Sequence, residues 1–176
     1  MNSTKLKTQT QDLHDSIEKV MHSSLLFSNK FTADHYKNFL RKSYTYIAAI
    51  APSSTLHWPE YSVILSTKKE ALHADLVFLG VPTEANATVT LADTDKYHTL
   101  GLFYIVLGAM LGNKMILKKL KEYESFQNST FNYLATQQEQ LPTLWKHFQS
   151  KINELEADQL EEVISGARDG YKMFGA

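Results

Sequence analysis

Thr99–Lys121, TLGLFYIVLGAMLGNKMILKKLK, is the most apolar run of the chain and holds three of its seven glycines, Gly101, Gly108 and Gly112. Glycine costs roughly 1 kcal/mol against alanine inside a helix. Yet the run contains no proline and ends in the lysine-rich turn expected of a helix C-terminus. Gly108 and Gly112 are four apart and share one helical face. A face without side chains admits something flat or bulky close to the backbone. Another helix or a planar ligand would satisfy it equally.

The chain of 176 residues is 43% hydrophobic, enough for a core, and reads as one domain over residues 1–176. There is no cysteine, which removes disulfides, thiolate metal sites and cysteine nucleophiles together. A formal charge of −1 gives no argument for nucleic acid or an anionic membrane surface. The N-terminus, MNSTKLKTQTQDLH, lacks the apolar core of a signal peptide. Leu100–Leu111 is about a dozen apolar residues, short of the ~20 that span a bilayer. The reading is a cytoplasmic protein with no membrane partner.

Helical spacing recurs along the chain. Leu13, Ile17, Val20 and Met21 mark a first helix within residues 4–27. Thr32 caps a second, Ala33–Ile50, that is expected to end before Pro52 and give way to a loop over 51–60. A third covers Val63–Leu79, closed by Gly80 and Pro82. Residues 83–91 read as a threonine-rich loop, after which Asp93 or Thr94 caps the central helix. A short helix over 129–140, one from Leu141-Pro142 to Leu155 and a last one over 157–174 complete an all-α bundle of about seven or eight helices. No run alternates with period two long enough for a strand.

The seven histidines show neither HExxH nor HxxxH spacing, nor the repeated Glu-x-x-His of di-metal bundles, so a non-haem metal centre is not indicated. There is also no phosphate-binding glycine loop. What remains is His14 with Glu18 one turn on, on one helix, and the glycine face on another. A carboxylate at that spacing can accept a hydrogen bond from Nδ1–H, which fixes the tautomer and leaves Nε2 free for a metal. An exposed helix-surface pair worth a few tenths of a kcal/mol fits the same spacing and is more common.

Taken together, Leu13-His14-x-x-x-Glu18 and Gly101-x-x-Tyr104-x-x-x-Gly108-x-x-x-Gly112 resemble the bacterial haem oxygenase family. The resemblance extends over most of the chain. It implies a haem oxygenase-like helical fold, with His14 as proximal haem ligand and the glycine helix kinked across the distal face. It further implies oxidative cleavage of haem to biliverdin, iron and CO, using O2 and electrons from a reductase or ferredoxin. A neutral histidine ligand does not push strongly toward O–O cleavage, as a thiolate would. A glycine wall can crowd the activated oxygen toward the ring edge.

Departures from the family pattern are local. Where a serine or aspartate commonly follows the first distal glycine stands Ala109; Asn113 replaces a second glycine and Leu107 a frequent glutamate. The polar group that organises distal water is thus missing from its usual place, with Asn113 as a substitute and slowed turnover as the consequence. By the same resemblance Lys7, and Lys146 or Lys151, are candidate propionate partners, and Tyr104 and Tyr171 candidate haem neighbours. Lys114, Lys118, Lys119 and Lys121 form a basic patch on the side that would face an acidic electron donor. Each of these also reads as a solvated lysine or a core aromatic. A non-catalytic haem carrier or sensor is the alternative function. A thiaminase-like helical enzyme would need the cysteine this chain lacks.

Overall fold

The computed structural model describes residues 1–83, 91 and 94–175. The expected loop over 83–91 lies, but for its two ends, outside the described residues, as does Asp93. Among the described residues there are seven α-helices and no strand: α1 Asn2–Val20, α2 Ala33–His57, α3 Ser62–Phe78, α4 Lys96–Lys121, α5 Asn132–Ala135, α6 Leu141–Asn153 and α7 Ala157–Gly175. Short 3-10 turns at Ser23–Leu26, Pro59–Tyr61 and Glu124–Phe126 join them.

The glycine-bearing α4 is the central element. Leu100, Phe103, Leu107 and Met110 on it are fully buried, and it packs against α7, α2, α5 and α6. Its 26 residues are apolar and long enough to cross a membrane by length and composition, beyond the dozen apolar residues counted in the sequence. However, 56% of the most apolar window is buried inside the bundle, as in a core helix. The contact with α7 is backbone to backbone. A Cβ on Gly101 would collide with the Val163 carbonyl, and one on Gly166 with the His98 carbonyl. α1 packs on α7 and α6, on the far side of a gap from the second half of α4.

Local rules account for most boundaries. Thr32 accepts from the His35 amide at 3.3 Å, while His35 Nδ1 accepts from the Thr32 amide at 3.0 Å, a closed capping box. Gly80 takes φ +68°, and the Val81 amide reaches back to the Leu76 carbonyl at 2.9 Å to end α3. Elsewhere the structure departs from the sequence reading. α1 stops at Val20, because His22 turns left-handed (φ 56°) and the chain tightens into a 3-10 turn. Asp95, not Thr94, caps α4, accepting from the Tyr97 and His98 amides at 2.7 and 3.3 Å. The helix expected over 129–140 is only Asn132–Ala135, ended by extended Thr136 and by Gln137 at φ 63°.

The largest correction concerns Pro52, which lies inside α2. Proline removes one intrahelical hydrogen bond and favours a break. Here the last turn is held from outside: Trp58 Nε1 donates to the Lys96 carbonyl at 2.7 Å, and His57 Nε2 meets the Thr94 carbonyl at 2.9 Å. The Lys96 and Lys151 ammonium groups lie 4.7 and 4.6 Å from the Trp58 ring centre. The stretch 51–60 is therefore helix and 3-10 turn rather than loop.

Candidate functional site

Between α1 and the second half of α4 lies a cavity of about 700 Å³. α1 brings His14, Ile17 and Glu18 to it, α4 brings Ile105, Gly108, Ala109, Gly112 and Asn113, and α7 brings Tyr171 and Phe174. Phe27, Phe31 and Phe39 make its third side mostly aromatic. A Cβ built on Gly108 or Gly112 would meet nothing within 4 Å. The glycines of α4 thus divide: Gly101 admits a helix, while Gly108 and Gly112 face open space. That division answers the question their spacing leaves open.

His14 is half-exposed on the opposite wall. Its Nδ1 stands 3.8 Å from a Glu18 carboxylate oxygen and 3.7 Å from one of Asp15, at ion-pair rather than hydrogen-bond distance. The expected Nδ1–H bond to Glu18 is accordingly not closed, and Nδ1 is buried without a hydrogen-bond partner. Asp15 is an addition to the pair: His14, Asp15 and Glu18 offer ligand atoms all within 4.8 Å of one another, at the exposed rim. Tyr171 meets the imidazole edge-on, ring centres 6.1 Å apart, and limits its rotation. Burial first, then the neighbouring Tyr104 phenol and the Glu18 carboxylate, raise the Tyr171 pKa and keep that phenol protonated.

Asn113 is 1% exposed, lines the cavity, and has no hydrogen-bond partner at either amide atom. An unsatisfied amide in a protein interior costs about 1–3 kcal/mol and calls for a partner. Ala109 offers the cavity only a methyl group. Four other candidates lie elsewhere. Tyr104 packs against Trp145 and Phe148, ring centres 6.1 and 6.0 Å away, and is not in the cavity wall. Lys7 and Lys146 are exposed and do not line the cavity. Lys151 is engaged, 3.1 Å from Glu60 and over Trp58. Lys19, Ser23 and Ser24 do line it. No periodicity singles out Ser23, Ser24, Phe27 or Phe31, which the sharp turn after α1 brings in, while Lys19 comes from α1 and Phe39 from α2.

The residue set fits haem. One imidazole faces a wall stripped to backbone across a largely apolar slot, and a single orphaned amide sits in that wall. Similarity to known proteins agrees with the geometry. A solved structure of the NO- and CO-bound haem oxygenase of Neisseria meningitidis superposes with TM-score 0.73 at 20% identity, covering 99% of this chain and 88% of that one. No curated protein sequence matches the chain. The family model described as heme oxygenase matches residues 1–176. This chain is a member of the haem oxygenase family.

Proposed function

We propose that the cavity between α1 and α4 is the haem site, that His14 ligates the iron, and that the bound haem is cleaved to biliverdin, iron and CO with O2 and external electrons. The observation that carries this reading is the open face at Gly108 and Gly112, which no helix occupies. When bound, haem supplies both the centre that activates O2 and the ring that is cleaved. The chain does the rest. Glu18 and Asp15, less than 4 Å from Nδ1, favour the tautomer that keeps a lone pair on Nε2. Tyr171 holds the ring plane. The bare backbone of Gly108 and Gly112 lets the macrocycle lie against α4, and the phenylalanines and isoleucines exclude bulk water. Asn113 is the polar group of the distal wall, in place of the side chain that Ala109 lacks.

Electrons would enter where the basic end of α4 meets the mouth. Lys119 lies 6.0 Å from the ring centre of Phe27, which is 61% exposed and lines the cavity. Lys114 and Lys118 extend this patch, and an acidic redox protein is the partner it would steer. We place the protein in the cytoplasm as one domain spanning residues 1–176. No observation favours a non-catalytic carrier.

Hemin titration of the wild type and His14→Ala tests the assignment. One-to-one binding with a Soret band that is lost in the variant and restored by imidazole is the expected result; an unchanged spectrum would assign the ligand elsewhere. Ascorbate under O2 with catalase present should then yield the biliverdin band. Bleaching without it would refute turnover.

A further inference from the structure

The haem that the cavity is read to hold carries two carboxylate chains on one edge of an otherwise apolar ring. A carboxylate gives up its water only where a cation or hydrogen-bond donors replace that solvation. Lys7, Lys146 and Lys151, the partners that the resemblance implies, do not line the cavity. Among the described residues, Lys19 is the one lysine or arginine that does.

Lys19 stands in the last turn of α1 and is exposed. The helix stops at Val20 and His22 turns left-handed (φ 56°), so Ser23 and Ser24 come round to the same cavity. Among the described residues, neither the Lys19 ammonium nor either serine hydroxyl has a hydrogen-bond or ion-pair partner. Asp15, four residues before Lys19, is turned instead to Gln11 Nε2 at 2.7 Å and to His14 at 3.7 Å. An exposed lysine at a helix C-terminus is ordinary and suits the helix dipole. What singles this one out is its company: two unengaged hydroxyls, in a cavity whose carboxylates, Asp15 and Glu18, gather at His14.

We propose that Lys19, Ser23 and Ser24 form the carboxylate subsite of the cavity and hold the propionate edge of the ring at the turn after α1. The inference rests on the haem reading given above. Lys19 lies five residues past His14, about 7.5 Å along the helix axis. Lys7 lies seven residues before it, about 10.5 Å in the opposite direction. The two lysines are thus opposite anchors, and the end at Lys19 is the one that lines the cavity. Asp15 and Glu18 repel a carboxylate from the neighbourhood of His14, which favours the turn further. An ammonium supplies three donors and each hydroxyl one, enough for two carboxylates. The ring is therefore seated by the end of α1, away from the lysine that the resemblance implies.

Hemin and hemin dimethyl ester, which lacks both carboxylate charges, separate this subsite from the general fit of the ring. The wild type should bind hemin more tightly than the ester. Lys19→Ala should weaken hemin binding up to about fivefold, the range of an exposed ion pair, and leave the ester unchanged. Lys19→Glu should weaken it further. Ser23→Ala and Ser24→Ala together should cost about fivefold through lost hydrogen bonds, again for hemin alone. The Soret band, which reports the iron ligand, should stay in place in every one of these variants. Lys7→Ala should alter neither affinity. A hemin-to-ester ratio in Lys19→Glu equal to that of the wild type would overturn the proposal. So would a loss of the preference in Lys7→Ala, which would put the carboxylates at the other end of α1. If the wild type binds neither compound, the haem reading itself has failed and the subsite falls with it.

Discussion

Alanine substitutions at the three α4 glycines should separate in sign. At Gly108 and Gly112 a methyl group meets nothing within 4 Å, so only helix propensity acts on the ligand-free protein. Alanine then stabilises by about 1 kcal/mol, which for a domain of this size raises Tm by roughly 2–4 °C. At Gly101 the same methyl collides with backbone of Val163, Gly166 and Ala167. Backbone atoms cannot rotate away as a side chain can, so α4 and α7 must separate. Overpacking of that kind costs about 1–3 kcal/mol or more, which exceeds the propensity gain and lowers Tm. Hemin affinity should move the other way at the cavity: Gly108→Ala and Gly112→Ala would place a methyl on the face proposed to receive the ring, and a clash of about 1–3 kcal/mol would weaken binding some fivefold to 150-fold. Thermal melts of the ligand-free proteins and hemin titrations suffice. A Gly108→Ala variant that melts lower than wild type, or that binds hemin unchanged, would refute the assignment of this face to a ligand.

Three further outcomes are expected. Ala109→Ser should raise the yield of biliverdin per haem in the ascorbate assay, because one preorganised donor in such a site is typically worth on the order of 10²–10³ in rate; an unchanged yield would show that Asn113 already suffices. Burial holds the Lys68 pKa down to about 8 from its ordinary 10.5. The folded state therefore binds that proton less tightly than the unfolded chain, the penalty is fully present below pH 8, and it is relieved as pH rises toward 10.5. Between pH 8 and 9.5 urea unfolding should show wild type gaining stability relative to Lys68→Met, with a limit on the order of 3 kcal/mol for the full span. Thr32→Ala should lower Tm by roughly 2–4 °C through loss of about 1 kcal/mol of capping, and an unchanged Tm would show the box to be idle.

Much of the bundle is legible locally. Helical spacing finds every long helix, Thr32 and Gly80 mark their ends by side-chain and backbone chemistry, and His14, Gly108 and Gly112 do converge on one cavity. What escapes the sequence is whatever depends on distant partners. Pro52 stays helical because Trp58 is anchored 38 residues away on Lys96. Lys68 and Asp75 look like the solvated face of an amphipathic helix, yet both are 0% exposed because α5 supplies their hydrogen bonds. Tyr104 lies four positions before Gly108, on the same side of α4, yet one turn away its ring packs against Trp145 and Phe148 of α6, a partner the local motif does not show.

The separation of Ala109 from Asn113 is the departure with the most chemical consequence. Positions four apart on a helix lie on one face, about 6 Å apart along its axis. A polar group moved from 109 to 113 therefore faces the same cavity, displaced by about one turn toward the C-terminal end of α4. A donor displaced this far cannot address the same point of a bound ring through a direct contact. It must act on a neighbouring position or through an intervening water, which costs up to about 2 kcal/mol to immobilise. A shallow, mobile amide would carry that cost in every turnover. An amide buried to 1% exposure in the wall of α4 has already met it during folding. The burial of Asn113 therefore belongs to the same design as the bare glycines: a wall that is close, dry and polar at one fixed point.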